Sequence, residues 1–253
     1  MLKKILKKIL NKLDLYTKNQ IYAKFDIYRP DNYDFLYGIM LSHLNHKGNL
    51  HMIQVGTEEG NNLNPLYKII REFNNEIKLL AIEPQKNNFE IFQKSTKHLK
   101  NIIYENIWVG DGNEVNSYSI YNATKSLKNI FNKHYKGQNS IEKDQVIKRL
   151  KNHIDKDFDK FIEVKKVKAH KLSNILIDNK EFFGNYDLLQ IDAEGYDDVI
   201  IYNSGIDDFN FKIINYECKN LSEERLSELH KFLKSRNYYI IRWKKSDELA
   251  LKF

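Results

Sequence analysis

The chain has 253 residues, a formal net charge of +7 and one cysteine, Cys218. This length allows one large α/β domain or two small ones, and a single cysteine excludes an internal disulfide framework. It is typical of the reducing cytoplasm, where we expect the protein to act. Apolar residues make up 42% of the chain, enough for a packed core. No run approaches the roughly 20 apolar residues of a membrane-spanning helix.

The basic charge is concentrated in two segments. Residues 1–24 contain seven lysines and one acid, and residues 125–168 contain thirteen Lys or Arg and six acids. The remainder is mildly acidic, so the domain lacks the broad basic surface of a nucleic-acid-binding protein. We therefore expect no nucleic-acid partner. The sequence pI of about 9.1 and the 16 tyrosines keep an RNA-binding or RNA-modifying protein as the alternative.

In the first 18 residues, leucine and isoleucine recur at helical spacing, with lysines on the other face. This pattern predicts a basic amphipathic helix. It either packs on its own domain or a partner subunit, as in a homo-oligomer, or makes peripheral contact with an anionic membrane surface such as the inner membrane. Lysines interrupt every apolar run, so the segment is not a secretory signal. We assign residues 1–49 to this helix and a lead-in.

From Leu50 onward, strand and helix patterns alternate, which predicts an α/β domain over residues 50–253 with a mostly parallel sheet flanked by helices. Residues 111–122 read as a hairpin, and a polar stretch with weak helical periodicity reads as a helical insertion at about 125–159. The chain closes with an antiparallel hairpin, "YYIIRW" and "ELALKF". The predicted parallel strands are 49–56, 77–84, 101–110, 186–195 and 211–218.

Ligands of such sheets bind beyond the carboxyl ends of the strands. Gly56 and Gly60 follow the first strand, where glycines permit a tight turn and close approach of backbone N–H groups to a ligand. Glu83 ends the second strand, in position to accept hydrogen bonds from both ribose hydroxyls of an adenosine. The pair predicts an adenosine cofactor across the sheet edge. The glycines alone are more typical of a plain strand-to-helix turn.

The end of the third predicted strand supplies candidates for an adenine pocket. Trp108 offers a stacking face, and Asn106 or Asp111 is placed to meet the exocyclic amine. A tryptophan at this position also fits an ordinary core residue.

The fourth strand end, "LLQIDAEGYDD", carries Asp192, Glu194, Asp197 and Asp198, and the fifth ends on Glu217. Crowded carboxylates repel one another and raise each other's pKa, which favours a functional site. The alternative is a solvated first helical turn, where the helix dipole favours acids.

Several stretches resemble the FkbM-type methyltransferases: "MIQVGTEEGNN", "AIEPQKNNFEIF", "NIWVGDG", "LSNIL" and "YDLLQIDAEGYDDVIIYNSG". That family typically shows D-x-G-A-N-x-G, an F-E-P strand end and K-I-D-x-E-G-x-E. The resemblance covers about Leu50 to Glu217. It implies a Rossmann-like class I methyltransferase fold, S-adenosylmethionine as methyl donor, and an oxygen acceptor, often on a sugar or a polyketide-linked hydroxyl.

The sequence departs from the family pattern at the donor site. Gln54 stands where the family has an acid, Thr57 and Glu58 replace Ala-Asn, and Gln190 replaces a lysine before Asp192. We expect Glu58 to contact the ammonium of the donor. Because of Gln54, a non-catalytic scaffold remains a further alternative. The cofactor-binding residues implied around the first strand end are Gln54, Gly56, Glu58, Gly60 and Asn61.

For catalysis we assign Asp192 as the general base, with Glu194 and Glu217 orienting the acceptor hydroxyls. Mg²⁺ is not favoured, because no third ligand is apparent in the local sequence. Three histidines are alternative bases, although each lies in a basic or polar segment typical of a surface: His134, His153 and His170.

The basic insertion suggests the kind of acceptor. Its lysines, among them Lys125, Lys128 and Lys133, suit the phosphates of a nucleotide-activated sugar, whose hydroxyls suit the acids. A saccharide of a surface polysaccharide, capsular or lipopolysaccharide, fits the same requirement.

Overall fold

The computed structural model describes residues 35–57, 65–120, 139–151 and 157–252. The predicted N-terminal helix lies outside these ranges. Eight predicted site or insertion residues do so as well: Glu58, Gly60, Asn61, Lys125, Lys128, Lys133, His134 and His153.

The described helices are α1 (Phe35–Lys47), α2 (Pro65–Glu72), α3 (Lys86–Thr96), α4 (Lys143–Leu150), α5 (Leu172–Asp178), α6 (Lys180–Phe183), α7 (Asp197–Tyr202), α8 (Ile206–Phe209) and α9 (Glu223–Ser235). The described strands are β1 (Leu50–Val55), β2 (Ile77–Ile82), β3 (Ile102–Glu105), β4 (Trp108–Gly110), β5 (Glu114–Ile120), β6 (Asn139–Ser140), β7 (Ile162–Lys171), β8 (Leu188–Ile191), β9 (Ile213–Glu217), β10 (Tyr239–Arg242) and β11 (Asp247–Leu251). A 3₁₀ turn, Phe158–Phe161, precedes β7.

The main sheet has seven strands in the order β10-β11-β9-β8-β1-β2-β3. Strands β3, β2, β1, β8 and β9 pair in parallel, whereas β11 runs antiparallel to both β9 and β10. The predicted mostly parallel sheet and its C-terminal antiparallel hairpin are confirmed. The carboxyl ends of the five parallel strands therefore meet at one edge.

The core lies on both faces of this sheet, because successive side chains of a strand point to opposite faces. In β1, Leu50 and Met52 pack into one cluster with α1, α2 and α3. Ile53 and Val55 pack into the other, with α5 to α9. All four are at most 4% exposed. Burial on both faces explains why these strands read as nearly continuous apolar runs.

Helix α1 lies in the stretch assigned from sequence to a lead-in. It packs against β1 and α2, and its buried residues include Met40 and Leu44. At the amino-terminal edge of the sheet, Asp187 accepts hydrogen bonds from the His51 N–H (3.0 Å) and from Lys47 (3.2 Å), which joins α1 to β1 and β8. None of the described helices is both long and apolar enough to span a lipid bilayer.

Two predicted elements are wrong. Residues 101–110 form two strands, because the chain leaves the main sheet after β3. At that point the Asn106 amide donates to the carbonyl oxygens of Glu83 (2.7 Å) and Pro84 (3.2 Å). Residues 111–120, the described part of the predicted hairpin, contain one strand and not two. Their strand, β5, pairs antiparallel with the distant β7 in a second sheet of order β4-β7-β5-β6.

The segment 139–151 is the described central part of the predicted insertion. It contains the short strand β6, which pairs with β5, and the helix α4. Val146 and Leu150 of α4 are fully buried, so this segment packs on the domain. The segment lies beside the end of β8, where the candidate site is found.

Candidate active site

The ends of β1, β2 and β8 are in backbone contact around Gly56. Its N–H donates to the Ile82 carbonyl (2.9 Å), and the Asp192 N–H donates to the Val55 carbonyl (3.0 Å). Gly56 has φ +81°, and a Cβ built there would lie 2.1 Å from the Asp192 carbonyl oxygen. A glycine is therefore needed both for the backbone conformation and for the close approach of β1 to β8.

Gln54 is buried beneath this turn. Its side-chain oxygen accepts from the Tyr67 hydroxyl (3.1 Å), which also lies 3.3 Å from the Thr57 carbonyl oxygen. Tyr67 comes from α2, so Gln54 ties the first helix after β1 to the strand end. A role for Gln54 in binding the cofactor stays a prediction.

Glu83 directly follows β2 at the same edge and is only 4% exposed. One of its carboxylate oxygens accepts the Gln85 N–H at 3.0 Å, and its carbonyl accepts from Asn106. The structure therefore brings Gly56, Glu83 and Asn106 to neighbouring strand ends, as the sequence predicted. Asn106 uses its amide to join the ends of β2 and β3.

Trp108 is not at a strand end of the main sheet, contrary to the prediction. It begins β4, pairs with Ala169 of β7, and is half-buried. Asp111 follows β4, and its carboxylate accepts from the Asn113 N–H (3.0 Å) and side-chain amide (2.9 Å). These hydrogen bonds lower the pKa of Asp111. A role for either residue at an adenine remains a prediction.

Three carboxylates meet at the ends of β8 and β9. Asp192, Glu194 and Glu217 each place one oxygen within 4.8 Å of the other two, and we call them the acidic cluster. Glu217 is 4% exposed, whereas Asp192 and Glu194 are partly exposed. The three predicted catalytic residues are thus together in space.

Two cations and an amide compensate part of this negative charge. Arg149 forms an ion pair with Glu194, and Lys219 forms one with Glu217. Asn220 donates to Glu217 (2.5 Å) and to Glu194 (3.2 Å). Burial raises the pKa of Glu217, and Lys219 and Asn220 oppose that rise. Sequence reasoning missed Arg149, Lys219 and Asn220, although the last two lie only two and three residues after β9.

Three converging carboxylates are also a donor set suited to a hard divalent cation such as Mg²⁺. The third ligand that the local sequence did not show is Glu217, from the neighbouring strand. Arg149 and Lys219 already neutralise two of the three, so the protein balances the cluster with its own side chains.

The other two acids of the "DAEGYDD" stretch have a different place. Asp197 and Asp198 lie in the first turn of α7, and both are buried. Asp198 forms a two-point ion pair with Arg225 (2.6 and 2.9 Å). Asp197 accepts the Glu217 N–H at 3.0 Å, joining the end of β9 to α7. The first-turn interpretation is therefore correct for these two acids in position, although they are not solvated.

Asp197 is a buried link whose surroundings favour the protonated form of its carboxyl. Burial, followed by the nearby Glu217, raises the pKa of Asp197 to about 8. Its Oδ2 atom has no hydrogen-bond partner among the described residues. A protonated carboxyl there adds no further negative charge beside the acidic cluster.

The strand order, the single reversed strand of the seven and the polar residues at the carboxyl ends of the parallel strands define a Rossmann-like domain. The sequence profile described as Methyltransferase FkbM domain matches residues 54–240. The chain belongs to the FkbM methyltransferase family, as its motifs predicted. Among curated proteins, none matches the chain significantly by sequence.

Solved structures with similar folds are distant in sequence. A methyltransferase of Podospora anserina bound to S-adenosylhomocysteine, PaMTH1, is 8% identical with a TM-score of 0.43, covering 99% of this chain and 96% of its own. A putative caffeoyl-CoA O-methyltransferase from Staphylococcus aureus is 11% identical with a TM-score of 0.42, covering 99% of both. A fibrillarin/Nop5p complex chain is 12% identical with a TM-score of 0.41, covering 89% of both. At these identities, and with TM-scores below 0.5, these likenesses carry no argument about this chain.

Proposed function

We propose that this methyltransferase uses S-adenosylmethionine to methylate a hydroxyl of a sugar, either a nucleotide-activated sugar or a saccharide of a surface polysaccharide. The observation that carries the proposal is the convergence of Asp192, Glu194 and Glu217 within 4.8 Å at the strand ends next to Gly56. Several carboxylates that accept hydrogen bonds in one place suit a substrate with several hydroxyls. The family supports methyl transfer.

The residues at the first two strand ends fit the donor. A buried acid, Glu83, lies one strand away from the Gly56 turn, which is the arrangement that binds an adenosine ribose in Rossmann-like domains. Glu83 would accept from the ribose hydroxyls, and the Gly56 turn would approach the rest of the donor. When bound, S-adenosylmethionine supplies a methyl group on a positively charged sulfur.

The acidic cluster would act on the methyl acceptor, which is the acceptor half of the reaction: it would orient the reacting hydroxyl and remove its proton. Asp192 is partly exposed and would take the hydroxyl proton as the new oxygen–carbon bond forms, which makes it the general base. Glu194 and Glu217, fixed by Arg149 and Lys219, would accept hydrogen bonds from neighbouring hydroxyls and hold the reacting oxygen in line. Proton removal and orientation are then divided among three carboxylates.

The proposal is tested by measuring methyl transfer from labelled S-adenosylmethionine to a panel of nucleotide sugars, the corresponding free sugars and mixed RNA. We expect label in a nucleotide sugar and a lower rate with the free sugar. Label in RNA, with steeply salt-dependent binding, would replace the proposal with the RNA-modifying alternative. No calorimetric binding of S-adenosylhomocysteine would indicate a non-catalytic scaffold.

Glu83→Ala is expected to weaken S-adenosylhomocysteine binding at least about tenfold, since it removes charge-assisted hydrogen bonds worth about 1.5 to 3 kcal/mol each. Isothermal titration calorimetry measures the effect. Glu83→Gln is the matched variant, because its amide oxygen still accepts the Gln85 N–H that Glu83 binds at 3.0 Å. We expect it to bind with intermediate affinity. Unchanged affinity in a folded Glu83→Ala protein would remove Glu83 from the donor site.

A further inference from the structure

The segment 139–151 is anchored to the loop after β9 and to α9. Gln145 of α4 donates to the Asn220 carbonyl at 3.3 Å, and Glu142 accepts from Arg225 at 3.3 Å. Val146 on the same helix is fully buried. These contacts fix the segment beside the end of β8, although the segment and β8 are far apart in the chain.

Two contacts join the segment to Glu194. The Ser140 hydroxyl donates to the Glu194 carbonyl at 3.2 Å, and Arg149 forms an ion pair with the Glu194 carboxylate. One end of the segment thus holds the backbone of Glu194, and the other end holds its side chain.

The backbone of Glu194 explains why such support is needed. Its φ is +53°, in the left-handed region, and Gly195 follows at +100°. A non-glycine residue there costs about 1 kcal/mol or more and persists only where the surroundings fix it. Without outside contacts, the Glu194 carboxylate would also be repelled by Asp192 and Glu217. Both effects would let it leave the cluster.

Arg149 is suited to oppose that repulsion. Its side chain is 18% exposed and that of Glu194 is 21% exposed, so the pair is partly shielded from water and from salt. A guanidinium is always charged and forms directional bonds to a carboxylate, which fixes an orientation as well as a distance.

We infer that Arg149 is a positioning residue for the acceptor half of the reaction, holding the Glu194 carboxylate in the acidic cluster from the insertion. The inference rests on the proposed function, because it assigns to Glu194 the acceptor hydroxyls. It makes acceptor binding dependent on the docked segment 139–151, whereas the donor side, at Gly56 and Glu83, does not contact Arg149 in the described hydrogen bonds and ion pairs.

The test compares Arg149→Gln with Lys148→Gln. Lys148 is the preceding residue of α4, is exposed, and carries the same charge, so its variant controls for net charge. In Arg149→Gln the acceptor KM should rise at least about tenfold, the equivalent of one lost charge-assisted hydrogen bond. The S-adenosylhomocysteine affinity should stay the same, and Lys148→Gln should resemble the native protein. Arg149→Lys should recover part of the loss.

Hydrogen exchange gives a second readout that does not need turnover. Amide exchange at residues 194–196 should speed up in Arg149→Gln and stay unchanged in Lys148→Gln. If the native protein methylates no sugar, the proposed function fails while exchange still decides the inference about Glu194. An unchanged acceptor KM, unchanged exchange, or an equal loss of donor affinity would overturn the inference. If Arg149→Gln does not fold, Arg149→Lys is measured in its place, with a smaller rise expected in the same two quantities.

Discussion

Asp192→Asn is expected to lower kcat about 10²-fold or more, the usual scale for loss of a general base. Asparagine keeps the size of the side chain, but its amide does not accept the proton of the acceptor hydroxyl. The cluster of Asp192, Glu194 and Glu217 should keep its geometry, because Glu194 and Glu217 retain Arg149 and Lys219. Steady-state kinetics with saturating acceptor measures the effect.

The control for this substitution is Asp178→Asn, which removes an exposed carboxylate at the end of α5. We expect native turnover from it. Binding of S-adenosylhomocysteine to Asp192→Asn should also be native. If turnover survives while donor binding collapses, Asp192 belongs to the donor site and the division of roles between the strand ends is wrong.

Gly56→Ala is expected to lower the free energy of unfolding by about 2 to 5 kcal/mol. A left-handed backbone costs a residue with a Cβ about 1 to 2 kcal/mol. An overpacked position costs about 1 to 3 kcal/mol more. Here the new Cβ would lie 2.1 Å from the Asp192 carbonyl oxygen, so β1 and β8 must separate. Urea unfolding of the two proteins measures the difference.

Gly48→Ala separates the cost of the left-handed backbone from the cost of overpacking. Gly48 also has a positive φ, +77°, but a Cβ there would meet nothing within 4 Å. Its loss should be about 1 to 2 kcal/mol, from the backbone term alone. Equal losses at Gly48 and Gly56 would show that the strand ends move apart without cost. A greater loss at Gly56 would show that its close approach to Asp192 stabilises the fold.

Much of the main sheet could be predicted from the sequence because its central strands are buried on both faces. Short, mostly apolar runs such as residues 50–55 and 188–191 are typical of strands buried on both faces. A glycine or an acid follows each run and marks the end of the strand. The predictions failed where partners are far apart in the chain. Residues 114–120 read as half of a local hairpin, yet their partner is β7, beyond the whole insertion.

The predicted end of the third strand was wrong for a related reason. Residues 101–110 contain apolar residues on both sides of Asn106, so the run reads as one strand. The break depends on hydrogen bonds from Asn106 to the end of β2, which no local pattern records. Trp108 was therefore placed in the wrong sheet.

The sequence by itself determined that carboxylates gather at the ends of β8 and β9, because strand pattern and acid are adjacent in the chain. Only the tertiary structure decided which of these carboxylates form the acidic cluster and which are buried in the protein. Asp192, Glu194 and Glu217 face one another, while Asp197 and Asp198 turn into the protein, to the Glu217 N–H and to Arg225. It also brought Arg149 from the insertion to Glu194. Side-chain direction and ion pairs between distant segments depend on packing, which fixes positions that no local pattern encodes.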